Sequence, residues 1–434
     1  MSPIFRRSDV VGAHGTFMGH AHPLLRPEDL VVLEGLRGRG EAWIVGGWVR
    51  ESISGRKDTD VDIATTLHPD EVKAIFPRSL MVGAKYGTVS VRLDEDIGGN
   101  EIWEVTTLRS DGSYGDGRRP DEVEFGTKIE DDLSRRDFKI NAMALEYPYG
   151  EDSLIDPFGG REDLMKGLLT SVGDPRKRIS EDGLRILRAF RFMDGGDGGV
   201  RKMDDSLCDA ISSSLGMLEM VSKERICSEF SIILSGDWAD EIVSKMVELG
   251  VLGAISGSLL EKSECPLGKD MRVNLAILSM GFDGSGGELR GILRRELMLS
   301  NSTLDEVCFL HDCKGEMLDH SEAYLRRFAA ALPEQRRERV LDYLGRLGQD
   351  TESFSEALEG VGEPRAGISP LVNGDDLSRE TGLPPGPRLG MLKGWLHRKQ
   401  VEEDLATYEE VLELLNEIDW KDSEPMDWGI LKWP

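Results

Sequence analysis

Val45-Gly46-Gly47-Trp48-Val49-Arg50, followed by Lys57-Asp58-Thr59-Asp60-Val61-Asp62-Ile63, is the stretch whose reading decides the fold. The apolar run AWIV (42–45) reads as a strand, and VRESI (49–53) as a helix entered through two glycines. A strand that turns through Gly46 and Gly47 into a helix aims backbone N–H groups at an anion, and Arg50, one turn in, adds a charged fork suited to phosphate. Asp60 and Asp62 flank a valine within a second strand, VDIAT (61–65), so both carboxylates project from one face. Such a pair repels unless a cation neutralises it, and hard oxygen ligands suit Mg²⁺. An isolated Asp-x-Asp is most often a polar strand edge. Here a phosphate cradle lies a dozen residues upstream, and the combination points to a nucleotide–metal site.

Working outward, TVSVRL (88–93) and EIWEVTTL (101–108) read as further strands, and HPDEVKAIF (68–76) and a segment starting at Pro27 as helices. This is an α/β block ending near residue 150. Within it, Glu104 supplies a third carboxylate on a neighbouring strand, one that could complete a metal site but alone would be an ordinary exposed acid. Residues 109–120 are rich in Gly, Asp and Ser and read as a loop bearing Arg118 and Arg119. Beyond it, Arg136 and Asp137 could clamp a triphosphate and a ribose hydroxyl, or could belong to a surface ion-pair cluster; charge alone does not choose.

The most informative segment is EDGLRILRAFRF (181–192). Helical spacing puts Asp182, Arg185 and Arg188 on a polar stripe beside Leu184, Leu187 and Phe190, with Arg191 drifting away from Asp182. Residues 176–191 hold six basic and two acidic side chains, a local +4 with few acids to pair the arginines.

VGGWVRE…DTDVDIA, EVTTLRSDGSYGDGRRP, DDLSRRDFKINAMALE, LIDPFGGREDL and EDGLRILRAFRF occur in one order and spacing. In this the chain resembles the class II tRNA nucleotidyltransferases. These CCA-adding enzymes are grouped with bacterial poly(A) polymerases in the polymerase-β-like superfamily. The resemblance is dense over residues 40–193 and weaker through SKERICSEF (222–230) and LVNGDDLSRETGLPPGPRLG (371–390). Glu51 stands where the family usually has Asp, and Lys139 where it usually has Thr.

The resemblance implies Mg²⁺ on Asp60 and Asp62 with Glu104 as third carboxylate. It implies Gly47, Arg50 and Arg136 on the triphosphate, and Asp137 and Asn141 toward the sugar. Asp182 and Arg185 would read the base, with Arg188 and Arg191 near nucleotide or primer phosphate. Chemistry explains such a protein template. Cytosine and adenine each offer an amino donor beside a ring-nitrogen acceptor, whereas uracil and guanine invert that pattern. A carboxylate and a guanidinium one turn apart therefore admit C and A, and they would also hold each other when the site is empty.

The expected fold is α+β: a polymerase-β-like nucleotidyltransferase head followed by an all-helical neck, body and tail. The expected divisions are a loose arm (1–26), head (27–150), neck (151–220), body (221–315) and tRNA-binding tail (316–434). The 434 residues carry 53 Lys+Arg against 80 Asp+Glu, a net charge of −27. That balance excludes a histone-like nucleic-acid coat and adhesion to anionic membrane. RNA contact must then be local. Candidates are 176–191, Arg326, Arg327, Arg336, Arg337, Arg339, and the acid-free run 385–400 with Arg388, Lys393, Arg398 and Lys399. Residues 401–434, with eleven acids and two lysines, should face away from RNA.

No window is apolar enough to span a membrane and the start lacks the apolar core of a signal peptide, so the expected compartment is the cytoplasm. Five scattered cysteines form no disulfide framework. Cys308, His311 and Cys313 could bind zinc, but such a cluster is far more often incidental. The expected partners are tRNA 3′ ends with CTP and ATP, and no obligatory protein partner. A poly(A) polymerase, an enzyme adding only CC or only A, and an inactive RNA-binding regulator are the competing readings.

Overall fold

The computed structural model describes residues 25–55, 60–84, 87–95, 101–111, 123–126, 128–149 and 153–434. Most of the expected arm, residues 57–59, and 112–122 with Arg118 and Arg119 lie outside the described residues. The chain divides into two compact units, Met1–Ile255 and Ser256–Pro434, a division that falls inside the expected body.

In the first unit, β1 (Ala42–Val45), β2 (Asp62–Thr65), β3 (Thr88–Val91) and β4 (Trp103–Thr107) form the sequence-predicted strands. β5 (Arg109–Asp111) pairs with β6 (Val123–Phe125) in a separate ribbon, while β7 (Ala144–Glu146) and β8 (Leu154–Ile155) rejoin the main sheet. The six strands run in the order β3-β4-β2-β1-β7-β8, with β2 and β4 parallel and the other pairs antiparallel.

Both faces of this sheet are covered, which is why β1 is apolar at every position. Ile44, Ile63, Val89 and Val105 pack with α1 (Pro27–Arg37), α2 (Gly47–Ile53) and α3 (Pro69–Ile75). Trp43, Val45 and Ala64 pack on the other face with Ile129 and Leu133 of α4 (Ile129–Ser134). Fully burying each Val, Leu or Ile is worth about 1.5–3 kcal/mol, so the sheet is the rigid part of the unit. Asp62 at the start of β2 and Glu104 in β4 break the burial pattern: both are exposed between buried neighbours.

The expected all-helical neck needs correction. β8 extends the head's sheet past residue 150, and β9 (Leu168–Leu169) pairs in parallel with β10 (Lys202–Met203). Two-residue strands carry no readable period, so the sequence could not announce them. The remainder is helical: α5 (Gly160–Met165), α6 (Pro175–Glu181), α7 (Arg185–Met193), α8 (Asp205–Ser213), α9 (Lys223–Leu234) and α10 (Ala239–Glu248).

The second unit is built of helices from Met271–Leu278 to Tyr408–Glu413. Its C-terminal part buries Leu389, Leu392 and Leu396 of Pro387–Glu402 with Leu377, Val411 and Trp428. No helix among the described residues is long and apolar enough to cross a membrane.

Candidate active site

A single cavity of about 720 Å³ in the first unit gathers every nucleotide and metal residue expected from the sequence. The sheet side supplies Gly46, Gly47 and Arg50, then the acids Asp60, Asp62 and Glu104. The segment after α4 supplies Arg136, Asp137 and Asn141, and the helical side supplies Asp182, Arg185, Arg188 and Arg191. Val61, Ile102, Arg135 and Phe192 complete the wall.

Strand register explains the acid edge. β2 and β4 are parallel neighbours with Ile63 opposite Val105, so Asp62 and Glu104, one residue earlier on each strand, share a face. Asp60 and Asp62 are exposed while Val61 and Ile63 between and after them are buried. Gly46 adjoins this edge with φ +74°, a conformation that favours glycine. A Cβ there would stand 3.1 Å from Arg136 Nη1 and 3.6 Å from Asp62 Oδ2, crowding the passage between guanidinium and carboxylate.

Among the described residues, no three His, Cys, Asp or Glu side chains close round one point as a finished metal cage. Carboxylates lining an open polar cavity instead fit an ion that takes one or two protein oxygens and completes its shell with water and phosphate, as Mg²⁺ does.

A chain of hydrogen bonds and ion pairs runs from Glu51 along the cavity wall. Glu51 accepts from Arg50 Nε at 2.7 Å, and Arg50 Nη1 donates to Asn141 Oδ1. Asn141 Nδ2 donates to Asp137 Oδ1 at 3.3 Å, and Asp137 Oδ2 accepts from Arg188 Nε at 2.6 Å. Glu229 then faces both Arg188 (3.8 Å) and Arg191 (3.3 Å). Asp137 is buried, which works to raise its pKa. The charge and hydrogen bond of Arg188, the Phe138 N–H and the charge of Arg185 outweigh burial and hold the carboxyl below its ordinary value. The guanidinium carbons of Arg50, Arg188 and Arg191 lie 5.0, 5.0 and 5.4 Å from the centre of the Phe192 ring.

The segment expected to read the base departs from its sequence reading. Asp182 is not on the helix of Arg185: α6 stops at Glu181, Asp182 is extended (φ −155°, ψ 110°), and α7 starts at Arg185. Gly183 makes the break possible, because a Cβ there would stand 2.3 Å from the Met217 carbonyl oxygen. Nor do Asp182 and Arg185 hold each other. Asp182 accepts from the Leu184 N–H at 3.0 Å and from Arg225 at 2.6 and 3.3 Å. Arg185 Nη1 donates to Glu181 Oε2 at 2.7 Å and to the Arg178 carbonyl at 2.9 Å, and its Nη2 donates to the Arg135 carbonyl at 3.0 Å.

The expectation that these arginines lack acids also fails, because Asp137 and Glu229 come from distant segments. Arg225 and Glu229 were the residues missed. Both lie in SKERICSEF, but nothing in that string pairs it with residues 182–191.

The other expectations fall in the second unit. Arg388 donates to the carbonyls of Trp420, Lys421 and Ser423 at 2.7–2.9 Å and lies over Trp428, so its guanidinium is spent on the chain's own C-terminal segment. Arg398 and Lys399 face Glu402 (3.9 Å) and Glu403 (2.7 Å). Arg326, Arg327, Arg336 and Arg339 each pair with an acid, respectively Glu322, Glu402, Glu306 and Asp270. Burial pushes the Cys308 thiol up to about 11 and the Cys313 thiol up to about 12.

Known proteins share this architecture. The Poly A polymerase head domain family matches residues 42–170. The CCA-adding enzyme of Lactococcus lactis subsp. cremoris is 31% identical over 420 residues, covering 90% of this chain and 96% of the relative. The chain belongs to the CCA-adding enzyme family. With other members the match is local: the CCA-adding enzyme of Geobacillus thermodenitrificans is 42% identical over 228 residues, so the matched stretch spans about half the length of that relative. The crystal structure of the Bacillus stearothermophilus CCA-adding enzyme in complex with CTP superposes with a TM-score of 0.71 at 28% identity, covering 92% of this chain and 98% of that one.

Proposed function

We propose that the chain adds the 3′-terminal CCA to tRNA by template-independent nucleotidyl transfer from CTP and ATP in the cytoplasm. The observation that carries this reading is the meeting of the acid edge and the Asp182/Arg185 pair in one cavity. Membership of the CCA-adding enzyme family supports it, as does the likeness to a relative solved with CTP.

Arg50 and Arg136 would take the triphosphate, with Asp137 and Asn141 toward the ribose. Asp60 and Asp62, with Glu104 beside them, would hold Mg²⁺, whose chemistry is to neutralise phosphate charge and make a hydroxyl more acidic. The 3′-oxygen of the tRNA bonds to the α-phosphorus as the bond to pyrophosphate breaks, and the hydroxyl proton is lost to solvent.

Donor and acceptor counting supports the base choice. Arg185 uses three of its five N–H donors within the protein, leaving two for a ring nitrogen. Asp182 accepts three hydrogen bonds and retains roughly one of about four lone-pair directions for an exocyclic amino group. Uracil and guanine would meet acceptor with acceptor and donor with donor. The tail run with Arg388, Lys393, Arg398 and Lys399 would contribute to the grip on tRNA mainly through Lys393, since the other three already have partners.

The test is incubation of the protein with tRNA ending before its CCA and each labelled nucleotide in turn. Addition of C, C and A and then arrest is the expected result. Runs of A on any RNA, CC alone, A alone, or no incorporation would each replace this reading by the corresponding competitor.

A further inference from the structure

Phe192, the last residue but one of α7, is only 8% exposed, yet it lines the active-site cavity. A buried phenylalanine is ordinarily packed among apolar side chains. Here the guanidinium carbons of Arg50 from α2 and of Arg188 and Arg191 from α7 all lie within 5.4 Å of its ring centre. The residue itself is anchored twice. Its ring meets that of Phe138 edge to face, with centres 5.8 Å apart, and its carbonyl accepts from Nη1 of the buried Arg201 at 2.9 Å.

Three like charges converging on one point repel, so something must hold them there. Acids do part of this work: Glu51 holds Arg50, Asp137 holds Arg188, and Glu229 faces Arg188 and Arg191. Every carboxylate that binds a guanidinium also takes N–H donors from a ligand. Arg50 gives one N–H to Glu51 and one to Asn141, Arg188 gives one to Asp137, and Arg191 gives one to Glu229. The rest of the five on each arginine remain for phosphate oxygens. A ring face attracts a guanidinium through its quadrupole and needs no acceptor atom to do so. Leucine would fill the same space, but it would not attract the cations.

We propose that Phe192 is a positioning residue for the nucleotide's phosphates. Its ring gathers Arg50 from the head and Arg188 and Arg191 from α7 on one anchored surface and leaves their donors for the ligand. This deepens, and rests on, the function proposed above.

The test changes the ring's electrons and barely its shape. In the full chain, Phe192 is replaced by mono-, di- and trifluorophenylalanine, in which fluorine withdraws charge from the ring face in steps, and separately by Phe192→Leu. CTP binding is measured by calorimetry and pyrophosphate binding by inhibition, alongside thermal melting and the four-nucleotide assay. The expected result is a stepwise weakening of both ligands, reaching roughly ten-fold with three fluorines and at least as much in Phe192→Leu. Tm across the fluorine series and the ratio of C and A to U and G should keep their wild-type values. Constant CTP and pyrophosphate affinity along the fluorine series would reduce Phe192 to packing and overturn the proposal. So would a loss confined to CTP, or a changed base ratio, since either places the effect away from the phosphates. A wild-type protein that binds CTP but extends no tRNA would overturn the proposed function alone, with the fluorine series still read from binding.

Discussion

Replacing Arg188 by Met should destabilise the first unit in a way that depends on pH, because it removes the main counter-ion of a buried carboxylate. Asp137 is 7% exposed and Arg188 31%. Breaking a buried pair by removing one partner costs about 3–5 kcal/mol. The low end applies, because Arg188 is partly solvated and the Phe138 N–H and Asn141 amide still donate to Asp137. For a unit of this size, about 3 kcal/mol is a fall of roughly 6–12 °C in Tm near neutral pH.

The sign follows from the direction of the shift. In the wild type the folded pKa of Asp137 lies below its unfolded value. Its contribution is therefore complete above the unfolded value, about 4, and is lost as pH falls through the folded one. In Arg188→Met the lowering charge is gone and burial dominates, raising the folded pKa above the unfolded value. The variant then recovers relative stability as pH falls and loses it as pH rises through the new folded pKa. Thermal denaturation of both proteins from pH 7 to pH 4 should show the gap in Tm narrowing steadily. Adding Asp137→Asn to the variant should restore part of the loss, since no charge remains to bury. A gap independent of pH, or no rescue by Asp137→Asn, would refute the electrostatic account and leave only lost packing on Phe192.

Asp60→Ala or Asp62→Ala should abolish incorporation of both CTP and ATP while leaving tRNA affinity largely intact; near-normal turnover at saturating Mg²⁺ would remove the metal assignment. Asp182→Ala and Arg185→Ala should lower C and A incorporation relative to U and G by roughly five- to a hundred-fold, from about 1–3 kcal/mol of unpaired polar group. Arg225→Ala should reproduce part of the Asp182 effect by freeing its carboxylate to swing, and a wild-type ratio of C and A to U and G in a four-nucleotide assay would show it has no such role. Arg388→Ala should lower the Tm of the second unit, with about 1 kcal/mol at stake from its partly buried contacts, and leave the salt dependence of tRNA binding unchanged. A flattened salt slope at constant Tm would return that residue to the RNA surface.

Much of the site was legible because its parts are local. Strand alternation places Asp60 and Asp62 from two residues of context, and Gly46-Gly47 announces a turn that few sequences need. What was hidden is pairing between segments far apart in the chain. The stripe Asp182, Arg185, Arg188 was read as one uninterrupted helix because its apolar partners Leu184, Leu187 and Phe190 hold helical spacing across the break. The spacing survives since α7 itself obeys it; at the interruption Gly183 is needed because a Cβ there would meet the Met217 carbonyl, which no window around 182 contains. The same holds for charge: a local +4 looked unbalanced only because Glu229 and Asp137 lie about 40 and 50 residues away. At Arg388 composition misled in the other direction, since an acid-free run suggested a nucleic-acid surface where tertiary structure needed a donor for three orphan carbonyls.

The relay from Glu51 through Arg50, Asn141, Asp137 and Arg188 to Glu229 and Arg191 also bears on how such a site can change over generations. Arg188 lies between Asp137 and Glu229, and Glu229 between Arg188 and Arg191, so a change of sign at either sets like charge against both of its neighbours. Effects of substitutions within such a chain do not add. Accepted changes should therefore arrive as linked pairs, or at the ends, where an ion has one partner to satisfy. Glu51 stands at one end of this chain of contacts, bonded to Arg50. A library of paired substitutions along the relay, selected for function, should accumulate diversity at Glu51 and keep Asp137 and Arg188 as an inseparable couple.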